Sequence, residues 1–341
     1  MHRLLNLVSI STRACAICFL IVALGATPST AQFAPPFAEW TRLSAEPVLA
    51  PQGDGFESAG TFNPAVVLKD NKFVMLYRAQ DSKGASSLGY ASSDDGIHFV
   101  RRAEPVMRAE APYEKGGGVE DPRVVKIGQT YYLTYTGYNN LDGAGPAGKD
   151  AQLCLATSLD LLHWTRQGII MPAYRGKWNV GWTKSGAIVP TKIGGKYWMY
   201  YLADARGQSS QMGVASSSDL IHWTDALDHP ILSSRAGSFD SRVVEPGPPP
   251  VIVSQGILLI YNGADDTLVY STGWVLFDKK DPTKVLARSQ EPIFKPGPTW
   301  EKVGQVPNVV FVEGMVRDTR RWLFYYGGAD KYIGVAAARQ R

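Results

Sequence analysis

The sequence predicts an all-β protein, specifically a five-bladed β-propeller, and three observations carry that prediction. One short sequence phrase recurs along the chain at intervals of about sixty residues. A second phrase, rich in β-branched and aromatic residues, alternates with the first. No stretch shows an extended 3.6-residue apolar periodicity, so helices should be few. A sandwich joined to a barrel is the alternative β architecture, and the regular repeat argues against it.

The first phrase has an acidic or small turn, a His or Glu just before an aromatic residue, and a polar stretch that ends in proline. Its clearest copies cover residues 95–99, 160–164 and 219–223. The prolines that end the five copies are spaced by 58, 67, 58 and 62 residues and are Pro47, Pro105, Pro172, Pro230 and Pro292. Because a histidine recurs at one place in three copies, we expect structural histidines, buried against the outer turns. They are His98, His163 and His222.

The second phrase begins with a polar residue at a Pro or Gly turn. It continues through a β-branched run and a tight turn into an aromatic-rich run, which is typical of a hairpin. The five copies start at Asn63, Asp121, Ser185, Pro248 and Pro307. Five such copies, each with three or four short strands, describe a propeller.

The first 31 residues have the pattern of a secretory signal. Arg3 and Arg13 precede or flank an apolar run at residues 15–26, and small residues follow at 29–31. We therefore expect residues 32–341 to form a single catalytic domain that is exported to the periplasm or the medium, without stable membrane insertion after cleavage. An uncleaved N-terminal anchor is the alternative.

Composition excludes several classes of function. The net charge is +4, and no basic run is present, so a nucleic-acid partner is not expected. Two of the three cysteines lie in the predicted leader, which leaves Cys154 without a disulfide partner. The sequence has no histidine cluster with metal-ligand spacing, so we expect no metal and no cofactor.

The candidate site is the ring of polar residues that open the innermost strands, because these strands converge at one mouth of a propeller. The ring comprises Asn63, Asp121, Lys184 or Ser185, Glu245 and Asn308. The ring positions differ while the strands behind them repeat, which indicates function rather than architecture. Two acids in one ring suit cleavage of an oligosaccharide, with Asp121 protonating the leaving oxygen and Glu245 activating water.

The neighbours of the two acids support the choice. Asp121 follows the glycines at 116–118, which allow close approach of a ligand, and Glu245 precedes a proline-rich wall at 246–250. A plain surface turn for Asp121 and a salt bridge to Arg242 for Glu245 remain the structural alternatives. Aromatic side chains that could stack on a sugar are Trp178, Trp182 and, more weakly, Tyr113, Tyr261 and Tyr326.

These motifs resemble glycoside hydrolase family 130, the mannoside phosphorylases and mannosidases, over about residues 45–339. The matching segments are 62–64, 76–79, 118–123 (Gly-Val-Glu-Asp-Pro-Arg), 247–250 and 325–330. The resemblance implies a five-bladed propeller and an inverting reaction with Asp121 as general acid, acting directly or through a sugar hydroxyl. It further implies that the sugar or phosphate pocket is lined by Asn63, Arg78, Arg123, Lys184 and Asp330.

Three departures from the phosphorylase pattern favour an exported hydrolase. Asn262 stands where phosphorylases tend to have a phosphate-holding histidine, and Glu245 would repel phosphate by about 4 kcal/mol at 4 Å. The leader also argues for hydrolysis, since only a cytoplasm can use a conserved sugar phosphate. The expected function is therefore hydrolysis of mannosides or a related glycoside. A mannoside phosphorylase and a non-catalytic sugar-binding propeller are the alternatives.

Overall fold

The computed structural model describes residues 33–141, 149–173, 178–205 and 210–341. One compact unit extends from Pro35 to Arg341. Its regular structure is β-strand, apart from two single-turn 3₁₀ segments at Pro112–Glu114 and Thr299–Glu301. No helix in the described part is long and apolar enough to cross a membrane. The predicted leader, residues 1–31, lies outside the described residues.

The all-β prediction is confirmed, and the strands form four sheets that comprise five antiparallel units, because a parallel bridge between Ser86 and Gly118 joins the first two units in one sheet. The first unit comprises β2 (Gly60–Lys69), β3 (Lys72–Gln80), β4 (Ser86–Ser93) and β5 (Val100–Arg101). The second comprises β6 (Gly116–Ile127), β7 (Thr130–Asn139), β8 (Asp150–Ser158) and β9 (Thr165–Met171). The third comprises β10 (Asn179–Ile188), β11 (Tyr197–Ala205), β12 (Ser210–Ser217) and β13 (Thr224–Asp225).

The fourth unit has a first strand split by the proline-rich segment. It comprises β14 (Val243–Pro246), β15 (Val251–Val253), β16 (Gly256–Ala264), β17 (Tyr270–Phe277) and β18 (Val285–Arg288). The fifth comprises β19 (Val310–Arg317), β20 (Arg321–Gly328), β21 (Tyr332–Arg339) and β1 (Thr41–Arg42). The outer strand of this unit therefore comes from the opposite end of the chain.

Apolar clusters lie between consecutive sheet units. Leu76 and Leu133 belong to one cluster of the first and second units, and Leu153 and Met199 to one of the second and third. Similar clusters join the third unit to the fourth and the fifth to the first. Between the fourth and fifth units, the Asn262 side chain exchanges two hydrogen bonds with the Val312 backbone. Each unit thus contacts the next, because both faces of its sheet are apolar.

A tyrosine and an acid recur once in each sheet unit. The hydroxyl donates to a carboxylate in or next to the sheet, in the pairs Tyr77–Glu57, Tyr135–Glu114, Tyr201–Asp225, Tyr261–Asp240 and Tyr326–Glu301. The repeated histidines also pair with acids, as in His98 Nδ1 to Asp95 Oδ2 at 2.7 Å. However, the three histidine side chains are about 85 % exposed, so their predicted burial was wrong. They lie on exposed turns, whose backbone amides donate to the same three acids, Asp95, Asp160 and Asp219.

A β-bulge interrupts the first strand of four units. The interruptions lie between Phe62 and Pro64, Glu120 and Arg123, Lys184 and Ala187, and Val312 and Gly314. Asn63, Asp121 and Ser185 adopt positive φ angles of 49°, 52° and 60° at these bulges. A bulge bends its strand and re-aims a side chain, which here directs polar groups away from the apolar faces.

Candidate active site

A cavity of about 280 Å³ lies at the bulged ends of the first strands. All five sheet units or the segments next to them contribute to its wall. The lining residues are Asn63, Arg78, Asp121, Trp182, Lys184, Leu202, Asp204, Ser210, Val243, Glu245, Tyr270, Val306, Val309, Phe311 and Asp330. Six of the nine residues predicted for the site therefore meet in one place.

Asp121 is held between an amide and a guanidinium. Asn63 donates from Nδ2 to Asp121 Oδ1 at 2.6 Å, and Arg78 donates from Nη1 to the same oxygen at 3.2 Å. Burial opposes ionisation of this carboxyl, but the charges of Arg78, Lys184 and Arg123 outweigh burial and lower the pKa of Asp121. Asp121 is consequently a carboxylate in the ligand-free protein.

Glu120 is a second acid at this point, and it was not among the predicted site residues. Arg78 donates from Nη2 to Glu120 Oε1 at 2.6 Å, and the Ser86 hydroxyl lies 3.2 Å from the same oxygen. Burial raises the pKa of Glu120. Strict strand alternation would separate adjacent side chains onto opposite faces, whereas the bulge allows Glu120 and Asp121 to contact one arginine.

Lys184, on β10 of the third sheet unit, contributes a cation to the cavity wall. Its ammonium lies 5.3 Å from the Trp182 ring centroid and 5.9 Å from that of Tyr138. Burial would lower the pKa of Lys184, but the nearby carboxylates, first among them Glu120 and Asp121, raise it, so the side chain stays charged.

Glu245 and Asp330 face the same space from the fourth and fifth units. The Ser185 hydroxyl donates to Glu245 Oε1, and burial raises the pKa of Glu245. Burial also raises the pKa of Asp330 to about 6. Both acids therefore hold a proton more readily than a carboxyl group in water.

Two predicted ligands, Tyr261 and Asn308, do not line the cavity. Tyr261 is fully buried in an apolar cluster, where its hydroxyl donates to Asp240 at 2.6 Å. It is one of the tyrosines that recur in every unit, which explains its structural role. Asn308 precedes β19, and its carbonyl accepts a hydrogen bond from the Tyr270 amide at 3.0 Å.

The register predicted for the fifth repeat caused the error at Asn308. The bulge of β19 instead contains Glu313, a fully buried acid that was not predicted. The sequence carries a signal for it, because residues 313–316 (Glu-Gly-Met-Val) match the pattern of 121–124 (Asp-Pro-Arg-Val). Both have an acid before a Pro or Gly and then a β-branched residue.

Arg123 is also displaced from its predicted role as a ligand. Its side chain is 1 % exposed and lies outside the cavity wall. Its guanidinium donates to backbone carbonyls and to Glu313, so it has no free face for a substrate. Of the two tryptophans considered for stacking, Trp182 lines the cavity and Trp178 is buried in an apolar cluster.

Comparisons with known proteins agree on one family. Residues 48–341 match the glycoside hydrolase 130 model, described as β-1,4-mannooligosaccharide phosphorylase. A 1,2-β-oligomannan phosphorylase of Thermoanaerobacter sp. (strain X514) is 41 % identical over 304 residues, 86 % of this chain and 95 % of the relative. A β-1,2-mannobiose phosphorylase of the same strain is 38 % identical over 310 residues, 87 % of this chain and 96 % of the relative.

A solved structure extends the likeness to the fold. It has a TM-score of 0.78 and 34 % identity, and the match covers 90 % of this chain and 96 % of that one. Its description states that the GH130 family of mannoside phosphorylases contains glycoside hydrolases that target β-1,2 mannosidic linkages in Candida mannan. The curated relatives with higher identity are phosphorylases, which contradicts the expectation of a hydrolase and favours its phosphorylase alternative.

The structure explains why the arguments for hydrolysis were weak. Asn262 does not line the cavity, since both polar atoms of its side chain bond the Val312 backbone. The repulsion argument took Glu245 as an isolated anion. Its carboxyl instead accepts a hydrogen bond from Ser185 and has a raised pKa because it is buried, so it opposes an anionic ligand less than assumed.

Proposed function

The chain belongs to glycoside hydrolase family 130, and we propose that it is a mannoside phosphorylase that cleaves oligomannosides with inorganic phosphate. The observation that carries this proposal is the pairing of Lys184 and Arg78 beside an acid in one cavity. Among the residues that the structure describes, none accepts a hydrogen bond from the Lys184 ammonium, which leaves its donors available to an anion. Phosphate oxygens are strong acceptors for such cations.

The proposed reaction inverts the anomeric centre. A phosphate oxygen attacks the anomeric carbon while the bond from that carbon to the glycosidic oxygen breaks. Asp121 supplies the proton that the leaving oxygen needs, either directly or through a sugar hydroxyl. The products are mannose 1-phosphate and a shortened mannoside. Asn63 and Asp330 lie beside Asp121 and would bind sugar hydroxyls.

Bound phosphate would also explain how Asp121 can act as an acid although its pKa is lowered in the free site. Asp121 is ionised when the cavity is empty, because three cations lower its pKa. An anion bound to Arg78 and Lys184 would offset their charge and let the pKa of Asp121 rise. The acid would then be protonated mainly when phosphate is present, which couples the two requirements of phosphorolysis.

β-1,2-Linked mannosides are the substrates we propose. Support comes from the two relatives named above, which together match more than four-fifths of this chain. The cavity volume of about 280 Å³ suits a few sugar units at most. We therefore expect action on short oligosaccharides rather than on the interior of a polymer.

Two further proposals concern the arrangement of the sheet units and the N-terminal segment. We propose that the five sheet units are the blades of a propeller, which is supported by the contacts of each unit with the next and of the fifth with the first. We also propose that residues 1–31 direct export, in which case the sugar phosphate would form outside the cytoplasm and would have to be imported or hydrolysed before use. Sequencing the N-terminus of protein from periplasmic and cytoplasmic fractions tests this second point.

The deciding experiment incubates the protein with β-1,2-mannobiose, with and without inorganic phosphate, and follows products by ¹H and ³¹P NMR. We expect α-mannose 1-phosphate and mannose to form only with phosphate. Free mannose as the sole sugar product, made at full rate without phosphate, would overturn the proposal. Calorimetric binding of sugar with no turnover over a panel of mannosides would indicate a non-catalytic protein.

A further inference from the structure

We propose that Arg123 and Glu313 form a positioning pair that holds the backbones of Asp121 and Glu245 at a fixed separation beneath the cavity. The pair touches neither the cavity nor, by this proposal, the substrate. It acts through the main chain on two acids that line the cavity from different sheet units. The reaction used to measure its effect rests on the proposed function.

The guanidinium of Arg123 connects strands of two units. Its Nε donates to the Gly247 carbonyl at 2.8 Å, and Nη2 donates to the Pro246 carbonyl at 2.7 Å. Its Nη1 donates to the Asp121 carbonyl at 3.2 Å. These carbonyls belong to Asp121 itself and to the two residues that follow Glu245. One rigid, planar group therefore sets the distance between the two segments.

Glu313 keeps that guanidinium in place from the fifth unit. Arg123 Nη1 donates to Glu313 Oε1 at 2.8 Å, and the two side chains are 1 % and 0 % exposed. Within the described residues, the other oxygen, Glu313 Oε2, has no hydrogen-bond partner. The hydrogen bond that the structure shows for this fully buried acid goes to Arg123, so Glu313 is placed to orient that guanidinium.

The parts that the pair connects are themselves fixed. The Asn262 side chain clamps Val312, the neighbour of Glu313, with two hydrogen bonds of 2.9 Å. A Cβ added at Gly247 would lie 2.7 Å from the carbonyl oxygens of Ile260 and Val312, so this backbone is tightly enclosed. Arg123 thus bonds a tightly enclosed acceptor, the Gly247 carbonyl, on one side and the bulge of Asp121, with its positive φ, on the other.

The consequence is a specific role for Asp121. Its positive φ of 52° is unfavourable for a residue with a side chain, so the surroundings must impose it. The hydrogen bond from Arg123 to the Asp121 carbonyl is one such constraint. If the pair loosens, Asp121 is expected to leave its reactive position while the cavity still binds sugar.

The test compares Glu313→Gln with Glu313→Leu. Gln keeps an oxygen that can accept from Arg123, whereas Leu has a similar size and no acceptor. We expect Leu to lower kcat by about 100-fold, the scale of a 1 Å misplacement, and to change KM for the mannoside by less than about threefold. We expect Gln to restore kcat to within about fivefold of wild type.

The matched control is another Arg–Glu pair whose acid is fully buried, Arg42 and Glu301. Its hydrogen bonds are 2.7 and 2.6 Å, its acid is fully buried, and it lies away from the cavity wall. Glu301→Leu should lower the melting temperature and leave kcat at 25 °C unchanged. This separates positioning of the acids from general loss of stability.

A wild-type kcat in Glu313→Leu would overturn the inference, and so would equal loss of kcat in the Glu301 control. If Glu313→Leu does not fold, Arg123→Lys serves instead, since it keeps the charge but cannot reach three carbonyls. A wild-type kcat in Arg123→Lys would also contradict the inference. If wild-type protein shows no phosphate-dependent turnover, the proposed function fails first, and the outcomes remain distinguishable.

Discussion

The acidic residues in the cavity differ in the direction in which their surroundings shift their pKa values. Glu245 and Asp330 are buried acids with raised pKa values, while Asp121 has a lowered pKa because it contacts Arg78 and lies near Lys184. Residue type alone would have made these three acids equivalent. These opposite pKa shifts fit the proposed mechanism, in which Asp121 is a carboxylate that takes up a proton after an anion binds.

The first residue-scale prediction concerns Asp121→Asn. The amide retains the shape of the carboxyl and can still accept from Asn63 and Arg78, so the fold should persist. It cannot donate an acidic proton, so kcat should fall by about 10³-fold or more. Steady-state kinetics with circular dichroism check this, and a kcat within about tenfold of wild type would remove Asp121 from the role of acid.

The second concerns Asp330→Asn and pH. The native pKa of about 6 lies above the ordinary value of 3.8, so the native state binds the proton more tightly than the unfolded state. Stability should therefore fall as pH rises from about 4 to 6. The Asn variant should be more stable than wild type at pH 7.5, by at most about 3 kcal/mol, and equal near pH 4.

Urea unfolding at the two pH values measures this difference, and Asp318→Asn provides a control of opposite sign. Asp318 has a lowered pKa because its hydrogen bonds to Arg320 and Arg321 outweigh burial. Its loss should reduce stability at pH 7.5 and matter less at low pH. A stability gain for Asp330→Asn that is independent of pH would contradict the argument from ionisation.

The first strands of the first three sheet units carry polar residues that line the cavity. Each pairs regularly with its neighbour until the bulge, where Asn63, Asp121 and Ser185 adopt positive φ. In β6 the bulge brings the consecutive side chains of Glu120 and Asp121 to one arginine, which a regular strand cannot do. Apolar side chains beyond the bulge return to the sheet faces and bury against the next unit.

The element-scale prediction is that Gly118→Ala destabilises the start of β6. Gly118 has φ of +104°, and a Cβ there would lie 2.0 Å from the Ser86 carbonyl oxygen, at the parallel bridge between β4 and β6. We expect a loss of about 2–4 kcal/mol in urea unfolding. Gly128→Ala, at φ of +63° with open space around it, should cost only about 1 kcal/mol. Equal losses would contradict the steric argument.

At the scale of the whole molecule, the two ends of the compact unit share one sheet. β1 pairs with β21, and Arg42 on β1 bonds Glu301 through Nε and Nη2. Residues from the start of the domain therefore complete the fifth sheet unit. Local sequence cannot form this contact until the rest of the chain has folded, so it should be decisive for cooperativity.

Two truncations test this closure. Removing residues 1–34 leaves the unit that begins at Pro35 intact, so melting temperature and kcat should match those of the full chain. Removing residues 1–43 deletes β1 and the Arg42–Glu301 pair, so the melting temperature should fall by several degrees. Differential scanning fluorimetry compares them, and identical melting temperatures would show that β1 does not contribute to stability.

Much of the site was predictable because residues that recur in every repeat are structural, whereas residues that differ between equivalent positions are candidates for function. Asn63, Asp121, Lys184 and Glu245 differ among otherwise similar positions, and all four line one cavity. The same rule would have excluded Tyr261, which recurs in each unit. Glu313 was not predicted because the fifth copy was aligned by its proline rather than by its Glu-Gly-Met-Val segment.

The sequence by itself determined the all-β class and the family, since these depend on local patterning that the repeated segments carry. Tertiary structure alone decided that Arg123 lies beneath the cavity rather than in it and that Glu120 and Asp121 share an arginine. It also decided which acids have raised pKa values and which one has a lowered pKa. The pKa of a side chain and the groups that it contacts depend on burial and on partners about 40 to 190 residues away in the sequence. A local sequence pattern contains no information about such distant partners.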